Sequence, residues 1–315
     1  MSKMTSKTTA VYEVLPRGRS YRPEATFVQG VERCVAASYF QGARYSVAAG
    51  AIVIEELTKY FPAPRAGWQA LLNPFAALMQ PALLGVSFQV ESGEVTALIG
   101  ANGSGKSTLL RILATLLVPT RGSASVAGYD VERQAAQVRA HLGFHSATDG
   151  GFYGRLTARE NLEFFAAMNN LFDAEAARRL EELTELMGMG AFIGSQVRTL
   201  STGQVHRLGL ARAMLHRPNV LLLDEPTRSL DPMAASEFRR FLKTQLVDRH
   251  GTTVLFASHS LAEVEQVADR IVLLDKGRLL ACDSISGLRT ATGAATLEEA
   301  LERMTPPGFL AEVSF

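Results

Sequence analysis

A chain of 315 residues with 47% apolar and 20% charged residues can bury a sizeable core, which excludes wholesale disorder. Its two cysteines, Cys34 and Cys282, exclude a disulfide scaffold and point to a reducing compartment. The formal net charge of +1 lacks the basic excess of chains that coat nucleic acid, and no uninterrupted apolar run of about 18 residues marks a membrane span, so a soluble chain is expected.

Residues 1–50 stand apart. They carry a net charge of +4, a Ser/Thr/Lys-rich start and later aromatics such as Tyr21, Phe27 and Tyr39. They read as a partly disordered extension with a short helix near Val31–Phe40, packed on the domain that follows. From Ala51 "AIVIEEL" reads as a strand, and Leu84–Val90 as another. The Pro-broken stretch between them, with Trp68 in an amphipathic segment, reads as an insertion.

Glu94–Ile99, Asn219–Asp224 and Thr252–Ser258 are short apolar runs of the buried-strand type. Lys106–Leu117 has helical period, and residues 270–283 read as a hairpin turning at Lys276-Gly277. Between the strands lie two helices, Thr157–Asn169 and Asp173–Met187, the first opened by a Thr157/Glu160 capping box. Strands alternating with helices predict an α/β fold with a mostly parallel sheet.

The first strand exit carries chemistry. Gly100-Ala-Asn102-Gly103-Ser104-Gly105-Lys106-Ser107-Thr108 fits G-x-x-x-x-G-K-[ST] between a buried strand and a helix. Its glycines let successive backbone N–H groups point at one anion, and the helix N-terminus adds its positive dipole end. Lys106 places a charge on the outer phosphates, and Ser107 offers a hydroxyl to Mg²⁺. Asp224 ends an apolar strand, where a carboxylate reaches the carboxyl edge of the sheet as a second Mg²⁺ ligand. Glu225 follows on the γ-phosphate side, placed to orient an attacking water. His259 ends another strand at the same edge as a γ-phosphate sensor.

His141 and His145 are spaced by four, but "HLGFHS" reads as a strand, which sets them about 13 Å apart, too far for a shared metal.

Leu200-Ser201-Thr202-Gly203-Gln204, before a helix read as Gln204–His216, resembles the LSGGQ signature of ATP-binding-cassette (ABC) ATPases. The resemblance implies a P-loop NTPase (RecA-like) core with a mixed, mostly parallel sheet, an antiparallel β subdomain and an inserted α-helical subdomain. It divides the chain into the extension 1–50, an ATPase domain 51–290 with a helical subdomain at about 148–205, and a helical tail 291–315. It makes Asp231 of "SLDP" the D-loop residue and His259 the switch histidine, and it assigns adenine stacking to Tyr60 or Phe61. The signature (Ser201, Thr202, Gly203, Gln204) would close on the nucleotide of a second ATPase subunit, homo- or heteromeric. ATP with Mg²⁺ is the implied ligand.

The phrases "RLTARENLEFFAAM", "LLLDEPTRSLDP" and "TLEEALERM" are similar to ATPase subunits of ABC-2-type exporters. That resemblance implies separate transmembrane permease chains, no nucleic acid, and a cytoplasmic position on the inner face of the cell membrane through the partner alone. An iron–sulfur assembly ATPase is the alternative. Two departures stand out. Thr202 replaces the first signature glycine, and Thr148, followed by Asp149, occupies the position where the family places a metal-contacting glutamine. That loss alone would favour a binding-only ATPase, and the intact Glu225 opposes it.

Overall fold

The computed structural model describes residues 52–62, 79–146, 151–228, 230–247 and 251–305. The N-terminal extension, the Trp68 insertion and the Thr148–Asp149 position lie outside them.

The elements in order are β1 (Ile52–Pro62), β2 (Met79–Val90), β3 (Val95–Ile99), α1 (Lys106–Leu113), β4 (Arg121–Val126), β5 (Tyr129–Asp130), α2 (Ala135–His141) and β6 (Leu142–Ser146). Then come α3 (Ala158–Met168), α4 (Asp173–Leu186), α5 (Thr202–Ala213), β7 (Val220–Asp224), α6 (Pro232–Phe241), β8 (Thr253–Ser258), α7 (Leu261–Val267), β9 (Arg270–Asp275), β10 (Arg278–Ser284), α8 (Ile285–Thr292) and α9 (Leu297–Met304). A four-stranded antiparallel sheet runs β2-β1-β4-β5. A six-stranded sheet runs β10-β9-β3-β8-β7-β6, parallel except for β10.

The parallel strands are apolar on both faces because both faces are covered. Ala97, Ile99, Leu221, Leu223 and Phe256 enter one core with Leu162, Leu180 and Leu208 of α3, α4 and α5. Leu98, Leu222 and Leu255 enter a second core with α1 and the antiparallel sheet, through Leu109, Ile112, Ile54 and Val86. The order β3-β8-β7 sets three strand ends side by side, in register Ile99↔Ser258 and Asp224↔Ala257. The phosphate loop, His259 and Glu225 therefore leave the sheet at one edge, the position where open α/β sheets hold ligands.

Several boundaries differ from the sequence reading. β1 continues through Tyr60 and Phe61 to Pro62, and β2 begins at Met79, so the stretch between them is shorter than expected. Helix α1 stops at Leu113, because Thr115 turns the chain with φ 60. Helix α5 begins two residues earlier than expected, at Thr202. His141 closes α2 instead of opening the strand. Helix α8 begins before residue 291, so the helical tail contributes α9.

One core junction is unusual. His145 of β6 and His206 of α5 are buried edge to face, with ring centroids 4.7 Å apart, and His206 stacks in turn on Phe238 of α6 at 5.9 Å. The close approach depends on Gly209, where a Cβ would lie 2.5 Å from the His145 ring. Burial pushes the His145 imidazole down to about 3, with His206 and Arg212 adding to the effect, and it pushes His206 down to about 4. In the unfolded chain both rings take up a proton below about 6.5. Stability is therefore complete above that pH and falls as pH drops towards 4, by about 2 kcal/mol per histidine at pH 5. Urea denaturation across this range should show that slope, and His206→Leu should remove about half of it.

Candidate active site

The loop after β3 wraps a cavity of about 480 Å³ lined by residues 102–108, Glu225, Phe61, Gln80, Pro81 and Ala82. Two glycines make the wrap. Gly105 caps α1 at φ 106, and a Cβ there would meet the Ala82 carbonyl at 2.6 Å. A Cβ on Gly100 would meet the Leu274 carbonyl at 2.3 Å. Gly100 thus serves packing and does not line the cavity.

Lys106 is buried, and its Nζ donates to the carbonyls of Gly100 and, at 3.1 Å, Ala101. Burial lowers its pKa, while the Glu225 and Asp224 carboxylates raise it. Ser107 Oγ donates to Asp224 Oδ1 at 3.1 Å, joining the hydroxyl and carboxylate that the sequence assigns to the metal. This hard-oxygen pair fits Mg²⁺.

Glu225 adopts φ 55, a left-handed conformation uncommon for a side chain with a Cβ, costing about 1 kcal/mol or more. Its N–H donates to the Ala257 carbonyl at 3.0 Å, so the neighbouring strand fixes the turn. His259 Nδ1 and Glu225 Oε2 are 2.5 Å apart. Lys106, Ser107, Asp224, Glu225 and His259 are thus brought together as the sequence predicts.

Phe61 lines the cavity. Tyr60 does not, and its backbone N–H donates to Thr120 Oγ1 at 3.1 Å. Gln80, Pro81 and Ala82 line the cavity too, although in sequence they belong to the Pro-broken stretch that reads as an insertion. Gln80 pairs directly with Phe61 across the hairpin, which puts both side chains on one face.

The signature builds a separate helix start. Ser201 Oγ accepts from Gln204 N–H at 3.3 Å, and Gln204 Oε1 accepts from Ser201 N–H at 2.9 Å. Thr202 occupies the first helical position, which its side chain tolerates, and Gly203 is free of close neighbours. No residue of 200–204 lines the cavity. Asp231 caps α6, its Oδ1 accepting from Met233 and Ala234 N–H at 3.0 Å each.

A family model described as "ABC transporter" matches residues 83–228. The ABC transporter ATP-binding protein YdbJ of Bacillus subtilis (strain 168), itself uncharacterized, is 40% identical over 213 residues, 68% of this chain and 68% of its own. The daunorubicin resistance ATP-binding protein DrrA3 of Streptomyces coeruleorubidus is 38% identical over 223 residues, 70% and 69% of the two chains. The dimeric structure of MJ0796, a bacterial ABC transporter cassette, matches with a TM-score of 0.64 at 25% identity, covering 74% of this chain and 98% of that one. With the phosphate loop, the two carboxylates, the histidine and the signature all present in order, the chain belongs to the ABC transporter family as an ATP-binding, ATP-hydrolysing subunit.

Proposed function

We propose that this subunit powers an ABC-2-type exporter, hydrolysing ATP between two ATPase subunits and driving separate permease chains. The observation that carries the reading is that the cavity holds the phosphate cradle and Glu225 but no signature residue. Ser201 and Thr202 lie exposed at a helix start, where first-turn N–H groups suit an anion. A second subunit supplying its signature completes the site, as the dimeric MJ0796 cassette supports.

Within it, Lys106 and the loop amides bind the phosphates, and Phe61 stacks the base. Ser107 and Asp224 would hold Mg²⁺, which supplies charge neutralisation on the phosphate oxygens. Glu225 orients the attacking water and accepts its proton, while His259 holds the Glu225 carboxylate. Asp149, next to Thr148 in the sequence, completes the metal and water shell or contacts the permease.

The names of the drug-resistance relatives support export, and an apolar patch supports a permease partner. Tyr153 stacks on Phe164 at 5.0 Å beside Met168 and Phe172, which are 69% and 56% exposed. Beneath the patch, Arg212 of α5 lies over the rings of Phe152 and Phe165 at 4.9 and 5.2 Å. A permease helix seated on the patch therefore pushes on the helix that carries the signature. Among the described residues no helix is long and apolar enough to cross a membrane. On this reading, membrane attachment on the cytoplasmic face runs through this contact.

The test is Phe164→Glu with Met168→Glu in cells that co-express a permease that co-purifies with the parent subunit. The isolated double variant should hydrolyse ATP as the parent does, while its recovery with membranes and the export of drug should fall at least tenfold. Unchanged membrane recovery overturns the docking assignment. Co-purification with iron–sulfur assembly proteins in place of a permease overturns export.

A further inference from the structure

Glu263 is an acidic residue only 4% exposed, on α7, directly behind the Glu225–His259 pair. A buried carboxyl persists only when its oxygens are partnered. Here Oε2 accepts from Ser258 Oγ at 2.6 Å. The same Ser258 hydroxyl accepts the Ser260 N–H at 3.0 Å, and Ser260 Oγ accepts the Glu263 N–H at 3.4 Å. Ser258 is thus held by the Glu263 carboxyl, and Ser260 by the Ser258 hydroxyl and the Glu263 N–H. Thr227, two residues beyond Glu225, also favours the charged form of that carboxyl. Arg239 of α6 faces it with opposite charge and Glu225 with like charge.

We propose that Glu263 is a positioning residue for ATP hydrolysis: by holding the Ser258 hydroxyl on a buried carboxyl, it fixes the backbone that presents His259 to Glu225. The reason is geometric. Glu225 and His259 leave the sheet on two neighbouring strands, β7 and β8, and the Glu225 turn is held by the Ala257 carbonyl of β8. Glu263 restrains the next residue of that strand, Ser258, and so sets where His259 meets Glu225. The strained turn at Glu225, with φ 55, needs such a restraint on its far side. Burial drives the Glu263 carboxyl towards the neutral form and Glu225 adds to this, while Ser258, Thr227 and Arg239 oppose it. This makes the hydrogen bonds, and not a free charge, the useful property of the group.

The inference rests on Glu225 and His259 acting in the hydrolytic step. Full-length Glu263→Ala, Glu263→Gln, Ser258→Ala and Glu225→Gln are compared for kcat, KM for ATP and equilibrium binding of Mg²⁺–ATP. Glu263→Ala should lower kcat between about tenfold and a hundredfold with KM within about twofold of the parent, the signature of a misplaced catalytic group. Glu263→Gln keeps an acceptor oxygen for the Ser258 hydroxyl and should recover most of the parental kcat. Ser258→Ala removes one tether without touching the buried acid, so it tests the idea even if Glu263→Ala fails to fold, and it should also lose kcat selectively. Parental kcat in Glu263→Ala or Ser258→Ala overturns the proposal. So does a loss confined to KM, or a glutamine variant as impaired as alanine. If Glu225→Gln itself turns over normally, the assignment of the hydrolytic pair fails instead.

Discussion

Glu225→Gln is expected to bind ATP within about threefold of the parent while hydrolysis falls by at least a hundredfold, the low end of what a positioned general base contributes. The cradle that binds the phosphates, residues 102–108 with buried Lys106, makes no use of the Glu225 carboxylate as a hydrogen-bond partner. The amide is isosteric and can still reach His259, so neither the φ 55 turn nor the 2.5 Å contact needs to rearrange. What disappears is an oxygen able to take a proton from water. With binding intact and turnover stopped, the ATP-bound pair of subunits should accumulate and appear by size-exclusion chromatography as a dimer stable in Mg²⁺–ATP. His259→Ala should slow turnover less than Glu225→Gln, because it releases the carboxylate without removing it. Turnover near the parental rate in Glu225→Gln would show that another group activates the water.

The parts of this site that the sequence revealed are those governed by local rules. β3, β7 and β8 are continuous apolar runs because they are buried on both faces, and each runs directly into its functional residues. The capping box at Thr157 follows from residues three apart. Other features depend on pairings that no local window contains. The extension of β1 through Phe61 rests on hydrogen bonding to β2 across the stretch read as an insertion, and its register is shifted by irregularities near Glu56 and Thr58. Leu116 and Leu117 continue the helical phase of α1, yet Thr115 takes φ 60 and leaves Leu116 60% exposed. Spacing in the sequence relates His145 to His141, and only the packing of α5 on β6 places its ring against His206. Glu263 has the composition of a solvated helix face. Its buried carboxyl is satisfied by Ser258, which arrives at the end of β8.

Lys106→Ala is expected to weaken ATP binding itself, by about ten- to a hundredfold. A charge-assisted contact to an anion contributes about 1.5–3 kcal/mol, and each 1.4 kcal/mol is a factor of ten. The structure explains why the loss is not larger. The ammonium has the carbonyls of Gly100 and Ala101 as alternative acceptors, so phosphate gains only the difference between the two kinds of partner. Removing the side chain also leaves those two carbonyls without a buried donor, and the variant should unfold at lower temperature than the parent. Lys106→Arg should not restore binding. The guanidinium is broader than the ammonium, and the cradle has no slack where Gly105 and Ala82 meet, since even a Cβ at Gly105 would lie 2.6 Å from the Ala82 carbonyl. Titration calorimetry with Mg²⁺ present separates the effects: weakened binding in both variants, with a lowered melting temperature in the alanine variant alone, is the expected pattern. Parental ATP affinity in Lys106→Ala would mean that the backbone amides and the helix N-terminus hold the phosphates unaided, and that Lys106 serves only the hydrolytic step.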